Sequence, residues 1–322
     1  MIVRWGLGEL PATLAEVNVR RPYVVASRRW SALELPVDAA GAWHEVPSDR
    51  VADLAAETEA ADGLLAVGGG SAIDLAKAAT AATGLPLVSV PTTYSGAEWT
   101  TFFGVRAPDR RMRGGGAGAR PAAIVYEPEL TLALPCAETV GTALNALAHC
   151  AEALYVVGRN GNGDRHALAG AAAIGRWLPA VVDRPEDLDA RTSLLRGAAD
   201  AGAALGAAGL GLGHAMAQVL GGRYGLPHGA VNALCLPPAL RFNEPVARAE
   251  IARFAAALET PDAASRVEDL ARLGGFHRLR DLGVPPDELD QVAAAVIERP
   301  GAQTNPRQAT AGEVADLLRS IW

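Results

Sequence analysis

Val67-Gly68-Gly69-Gly70-Ser71-Ala72-Ile73-Asp74-Leu75-Ala76-Lys77 follows the apolar run Gly63-Leu64-Leu65-Ala66 and opens a helix-like run from Ala72 to Ala82. Strand, glycine turn and helix in that order make a phosphate cradle. Glycines let the backbone approach an anion, and the amides at the helix start point at it. A second apolar run, Leu85 to Val90, ends in Pro91-Thr92-Thr93-Tyr94-Ser95-Gly96. Two hydroxyl- and glycine-rich loops therefore follow successive strands, and an open α/β sheet binds ligands at that carboxyl edge. Gly68, Gly69, Gly70, Ser71, Thr92, Thr93, Tyr94 and Ser95 become the candidate cofactor-binding residues. The spacing departs from G-x-G-x-x-G, so this is not an ordinary Rossmann fingerprint.

Outward from that stretch the chain reads as two domains. With 322 residues it is long enough for two cores. Apolar residues make up 50% and charged residues 20%, the balance of a globular rather than a disordered protein. A net charge of −7 gives no sign of nucleic-acid binding. Cys136, Cys150 and Cys235 are widely spaced, against a disulfide scaffold or a cysteine zinc site. The first residues, Met1 to Trp5, lack the pattern of a signal peptide, and charge or glycine interrupts every long apolar run. The expectation is a cytoplasmic protein with no membrane contact.

Before the glycine turn, Val3 to Trp5 and Tyr23 to Ala26 read as strands, with a helix from Leu10 to Val17 between them. Arg28 and Arg29 sit just past the second strand, where an acid would favour NAD and a base tolerates the extra phosphate of NADP. Arg28 is the cofactor candidate there; solvated charge is the plain alternative. Asp74 and Lys77, three apart, share a helix face. Asp74 either orients the loop or a ligand hydroxyl, or forms a surface ion pair. The basic, glycine-rich segment from Arg106 to Arg120 reads as a hairpin near an anion or a solvated loop. Ile124 to Tyr126 is the last strand. From Leu134 onward helical spacing dominates, with breaks that include Asn243-Glu244-Pro245. The division is an α/β dinucleotide-binding domain over 1–132 and an all-helical domain over 133–322.

The helical half carries a polar constellation. Asn145 and His149 lie four apart, which puts an amide and an imidazole on one face. Glu152, three further on, is placed to orient the His149 ring. His214 and Gln218 repeat the spacing of four, and His228 follows Leu226-Pro227. The glycine-dense run from Gly209 to Gly213 lets the backbone come close to something. Three histidines could supply three nitrogens to iron or zinc, but Asn145 adds no charge, so such a site is expected to be empty or weakly occupied. The same rings can instead donate protons or hydrogen bonds to a carbonyl or carboxylate.

Pro91 to Thr100, Asn145-Ala146-Leu147-Ala148-His149 with Glu152-Ala153-Leu154-Tyr155, and Asn305-Pro306-Arg307 resemble the group III, iron-containing alcohol dehydrogenase superfamily, which includes glycerol dehydrogenase and dehydroquinate synthase relatives. Within it they look most like the maleylacetate reductase branch. The resemblance covers nearly the whole chain and implies a dehydroquinate synthase-like fold, NADH or NADPH as cofactor and a homodimer. Metal-dependent members bind the ion through an aspartate and three histidines. The matching positions here are Asn145, His149, His214 and His228, so a metal is not expected to be required. Gln218 stands where relatives often carry another active-site histidine, and the lysine usual near Ala215 or Met216 is absent. The implied reaction converts maleylacetate, a small oxo-acid, to 3-oxoadipate by reducing a double bond conjugated to a ketone. His149, His214, His228 and Asn145 are then the catalytic candidates, and Arg106, Gln218, Arg241 and Arg307 the substrate-binding ones. Two alternatives are an alcohol or aldehyde dehydrogenase acting at a carbonyl and a non-redox enzyme like dehydroquinate synthase.

Overall fold

The computed structural model describes residues 1–322. Its contacts divide the chain into two units, one of residues 1–93 and 97–133, the other of residues 94–96 and 134–322. The first unit is a six-stranded parallel sheet. Its strands are β1 (Ile2–Trp5), β2 (Pro22–Ala26), β3 (Gly41–Trp43), β4 (Gly63–Gly68), β5 (Leu87–Pro91) and β8 (Ala123–Tyr126), in the order β1-β8-β5-β4-β2-β3. An antiparallel hairpin of β6 (Phe103–Arg106) and β7 (Met112–Gly116) stands apart from it.

Parallel strands covered on both faces read as continuous apolar runs. The β4 run does so: Leu65 and Val67 pack into one core with Leu10, Leu14 and Val88, while Leu64 and Ala66 join Trp43, Leu54 and Ile73 in the other. The helices behind these cores are α1 (Leu10–Glu16), α2 (Val51–Glu57) and α3 (Gly70–Thr83). Strand order reverses between β2 and β4, so the turns after those two strands flank the switch point where open α/β sheets bind ligands. The glycine turn follows β4, and Arg28 follows β2.

Lys77 on α3 is fully buried. Its Nζ donates to the carbonyls of Ala97 and Phe102 and to Thr100 Oγ1 at 2.8 Å, and lies 3.6 Å from Asp74 Oδ1. Asp74 Oδ2 accepts the Gly104 N–H at 3.1 Å. Asp74, paired with the buried Lys77 on the same helix, therefore orients the β6–β7 hairpin through the Gly104 amide. The basic segment is a hairpin pinned at its base.

The second unit is helical: α4 (Cys136–Ala153), α5 (Gly161–Asp183), α6 (Leu188–Ala208), α7 (Leu212–Tyr224), α8 (His228–Ala257), α9 (Ala263–Leu273), α10 (Leu289–Ile297), α11 (Pro300–Gln303) and α12 (Ala311–Ser320). Buried almost all round, α4 lies between α5, α6, α8 and α9. The break expected at Asn243-Glu244-Pro245 is a kink instead: α8 runs on and leaves helical geometry only at Ala247 (φ −131°, ψ 33°). Pro245 has no N–H to offer the Arg241 carbonyl, which weakens the ladder without ending the helix. No single helix is long and apolar enough to cross a membrane.

At the start of α8 the backbone touches α4. A Cβ on Gly229 would sit 2.4 Å from the carbonyl carbon and oxygen of Gly141, and neither backbone can swing away as a side chain would. This approach sets α4 and α8 side by side where both carry polar residues. Gly229→Ala is expected to lower stability by about 1–3 kcal/mol, the usual cost of overpacking. Urea unfolding checks it.

Candidate active site

In the first unit the glycine turn has the shape that the sequence implies. Gly68 has φ 155°, and a Cβ there would lie 2.8 Å from the Ala72 methyl. A Cβ on Gly69 would lie 2.9 Å from Thr93 Cγ2. Gly68 accepts the Thr92 N–H at 3.0 Å, which fixes the two loops together. Helix α3 starts at Gly70 with no side chain capping it, an arrangement of first-turn amides around Gly70 and Ser71 that suits an anion. Thr93 Oγ1 is buried without a protein partner. These features fit the diphosphate of a dinucleotide. Arg28 is exposed beyond β2, and Arg29 lies 5.0 Å over the Trp30 ring.

The loop after β5 is divided. Thr92 and Thr93 group with the sheet, but Tyr94, Ser95 and Gly96 group with the helices. Tyr94 is fully buried there, its hydroxyl 3.4 Å from a nitrogen of the buried Arg191. The Ser95 carbonyl accepts from Asn145 Nδ2 at 2.9 Å. Gly96, at φ 75°, passes over His149: a Cβ there would lie 3.3 Å from Nδ1 of that ring. Two of the expected cofactor residues, Tyr94 and Ser95, thus pack into the helical unit.

Within that unit the structure brings Asn145, His149, His214 and His228 together. His149 stacks on His214 with ring centres 4.6 Å apart, and the His214 and His228 rings are 6.0 Å apart. Asn145, His149 and His214 are each no more than 4% exposed. Asn232, one turn along α8 from His228, joins them. Its Nδ2 lies 2.6 Å from Asn145 Oδ1 and 3.0 Å from His228 Nε2. Asn145 Nδ2 also lies 3.5 Å from His149 Nε2. Buried atoms here without a protein partner include Ser95 Oγ, His149 Nδ1, His214 Nε2 and Asn232 Oδ1. Unpartnered interior polar atoms mark a place for a polar ligand or ordered water. Burial, then the neighbouring His214 and His228 rings, hold the His149 pKa well below its ordinary value.

Glu152 does not orient His149 as the spacing suggests. Its Oε2 accepts from His214 Nδ1 at 2.7 Å and from the Gly211 N–H at 2.7 Å, and its Oε1 accepts the His214 N–H at 3.0 Å. The glycine-dense run makes room for this carboxylate: a Cβ on Gly213 would lie 3.0 Å from Oε1 and one on Gly211 3.1 Å from Cδ.

The other expected residues have partners of their own. Gln218, one turn beyond His214, accepts from Arg299 Nε at 3.3 Å. Arg241 is paired with Glu268 at 2.6 Å. Arg307 is paired with Glu313 and lies 4.0 Å over the Phe242 ring. Arg106 belongs to the hairpin of the first unit and donates to the Arg110 carbonyl. A separate cavity of about 540 Å³, lined by Arg176, Glu259 and Arg266 among others, holds none of the clustered groups. No group of three or more His, Cys, Asp or Glu side chains is arranged to hold a metal ion. Asn232 and Arg299 were not singled out by the sequence; the spacing of four from His228 was the available signal for Asn232.

Glu152→Gln places an amide where only N–H donors point, and should lower unfolding free energy near neutral pH by about 1.5–3 kcal/mol. The depressed His149 pKa means that the unfolded chain takes up a proton first as pH falls below 6.5. Stability is therefore whole above that pH and declines below it, by up to about 1.4 kcal/mol per pH unit from this ring. Urea midpoints across pH should show a shallower decline in His149→Gln.

Residues 5–128 match the iron-containing alcohol dehydrogenase family, and residues 139–322 match its C-terminal domain, described as the Fe-containing alcohol dehydrogenase family, C-terminal. The chain is 38% identical to maleylacetate reductase of Burkholderia cepacia over 274 residues, covering 85% of this chain and 77% of that one. It is also 38% identical to maleylacetate reductase 1 of Rhodococcus opacus, over 86% of this chain and 77% of that one. The crystal structure of maleylacetate reductase from Agrobacterium tumefaciens superposes with a TM-score of 0.89 at 30% identity, over 100% of this chain and 95% of that one. A parallel α/β unit with a glycine cradle, a helical unit with clustered imidazoles, and these likenesses agree: the chain belongs to the iron-containing alcohol dehydrogenase family, in its maleylacetate reductase branch.

Proposed function

We propose that this protein reduces maleylacetate to 3-oxoadipate with NADH or NADPH, as a homodimer and without a metal ion. The observation that carries the reading is the cluster of three imidazoles, His149 and His214 buried and His228 half-buried, with the buried Asn145, in a chain 38% identical to two maleylacetate reductases. The substrate is an enone with a carboxylate at each end. A dinucleotide held at Gly68, Gly69, Gly70 and Ser71 would supply the hydride that the carbon β to the ketone takes up. Negative charge then develops on the ketone oxygen as an enolate. The two unpartnered atoms beside Asn145, Ser95 Oγ and His149 Nδ1, are suited to donate hydrogen bonds to it. His214, whose Nδ1 donates to the Glu152 carboxylate, passes a proton from Nε2 to the α carbon as an imidazolium and is left as the neutral ring. Gln218, one turn from His214 on α7, is a substrate contact.

The donor set does not suit a divalent metal. Asn145 is neutral where metal-dependent relatives carry an aspartate, and its oxygen is engaged by Asn232. A zinc or iron centre wants charged or imidazole ligands with open lone pairs. Two of the three ring Nε2 atoms here face amide nitrogens instead.

Oxidation of NADH and NADPH, followed with maleylacetate beside simple alcohols and aldehydes, tests the reading. Turnover is expected with maleylacetate and unchanged by a chelator. Absence of turnover with maleylacetate, or activity with alcohols that needs added iron or zinc, would overturn it. His214→Asn should lower kcat by roughly 10²- to 10⁴-fold, the usual contribution of a positioned acid. Gly69→Val drives a side chain against Thr93 and should weaken dinucleotide binding in calorimetry; unchanged affinity would reject the phosphate cradle.

A further inference from the structure

The hydrogen bonds around Asn145 assign the protons of the imidazole cluster. A backbone carbonyl only accepts. The Ser95 carbonyl lies 2.9 Å from Asn145, so the Asn145 amide nitrogen faces it and the amide oxygen faces away. That oxygen lies 2.6 Å from Asn232, so Asn232 presents its nitrogen. The same nitrogen lies 3.0 Å from His228 Nε2, which must then be an acceptor, and the neutral ring carries its proton on Nδ1. The second amide hydrogen of Asn145 is directed to His149 Nε2 at 3.5 Å, the longest separation of the set. Rotating the Asn232 amide would satisfy its buried, unpartnered Oδ1, but would set two amide oxygens 2.6 Å apart. His214 is fixed independently, with Nδ1 toward the Glu152 carboxylate.

We propose that the chain Ser95 carbonyl, Asn145, Asn232, His228 is an amide relay in which Asn232 is a positioning residue: it holds His228 with its proton on Nδ1, covers Nε2, and leaves His214 Nε2 as the one open ring nitrogen of that kind. The catalytic part of the proposal rests on the reductase reading; the tautomers do not. The relay also explains an amide at position 145. An aspartate there would turn a carboxylate oxygen toward the Ser95 carbonyl and would have no hydrogen to give to His149.

Nitrogen-15 spectra of protein labelled at histidine, with assignments from single His→Gln variants, test this. The wild-type spectrum is expected to show His228 protonated at Nδ1, and Asn232→Leu to shift it toward a mixture of tautomers. With maleylacetate, Asn232→Leu should lose roughly 10- to 100-fold in kcat, the range for partners of site residues, with dinucleotide affinity unchanged. Cobalt(II) titration supplies a readout free of turnover. Asn145→Asp should gain visible ligand-field absorption, and wild type should show none. A wild-type His228 protonated at Nε2, unchanged ring shifts in a folded Asn232→Leu, or stoichiometric cobalt in wild type would each overturn the relay. Should maleylacetate fail as a substrate, the spectra still decide the tautomers.

Discussion

One buried carboxylate holds the helical unit's polar centre in place. Glu152 has no exposed surface, and an isolated charge in that position would cost several kcal/mol or more. Three N–H groups offset that cost, two of them backbone amides at the start of α7, where the helix dipole also favours negative charge. The third is the His214 ring. One side chain from α4 therefore caps α7 and fixes the rotation of a candidate catalytic imidazole. Glycines at 211 and 213 are the condition for this, since a methyl group at either would press on the carboxylate. The Gly211 carbonyl is itself approached by Gly301, so the end of the chain packs against the same turn.

The first unit uses a buried cation in a comparable way. Lys77 lies two turns along α3 from the glycine cradle, and its ammonium gathers the carbonyls of Ala97 and Phe102. Burial pushes the Lys77 pKa down and the Asp74 pKa up, and each group opposes the shift in the other. The pair fastens the segment after β5 and the base of the hairpin to the helix that opens from the glycine turn. The cradle's shape then depends on interior contacts as much as on its three glycines.

The parts legible in the sequence are those whose signal is local. The β4 run, the glycine turn and the i, i+4 pairing of Asn145 with His149 each fall within a dozen residues. What escaped depends on packing between distant segments. Spacing alone assigns Glu152 to His149, because both lie on α4, but the partner it finds is 62 residues away at His214. Asn232 reaches Asn145 across 87 positions, and that contact exists only because Gly141 and Gly229 let α4 and α8 touch. The division within Thr92 to Gly96 has no local mark either. It follows from Arg191 and Asn145, which draw Tyr94 and Ser95 into the helical unit. Arg241 and Arg307 are likewise unmarked in the sequence: their pairing with Glu268 and Glu313 is set by contacts that no local pattern announces.

The exchange of an aspartate for Asn145 has a chemical logic on the proposed reading. Removing hydride from an alcohol requires the hydroxyl to lose its proton, and a metal ion makes that loss favourable by binding the alkoxide. Reducing an enone runs in the other electronic sense. The hydride arrives first, the ketone oxygen collects the charge, and neutral donors fixed in a dry site stabilise it with no reorganisation at the moment of reaction. A cluster that trades its ligand carboxylate for amides gives up the metal's positive charge but gains fixed hydrogens. Those hydrogens cover ring nitrogens that would otherwise compete for cations or for the substrate's proton. The serine hydroxyl and the His149 Nδ1 atom remain for the enolate, and His214 Nε2 remains for the proton. The division of labour among three chemically identical rings thus follows from what each ring's other nitrogen touches.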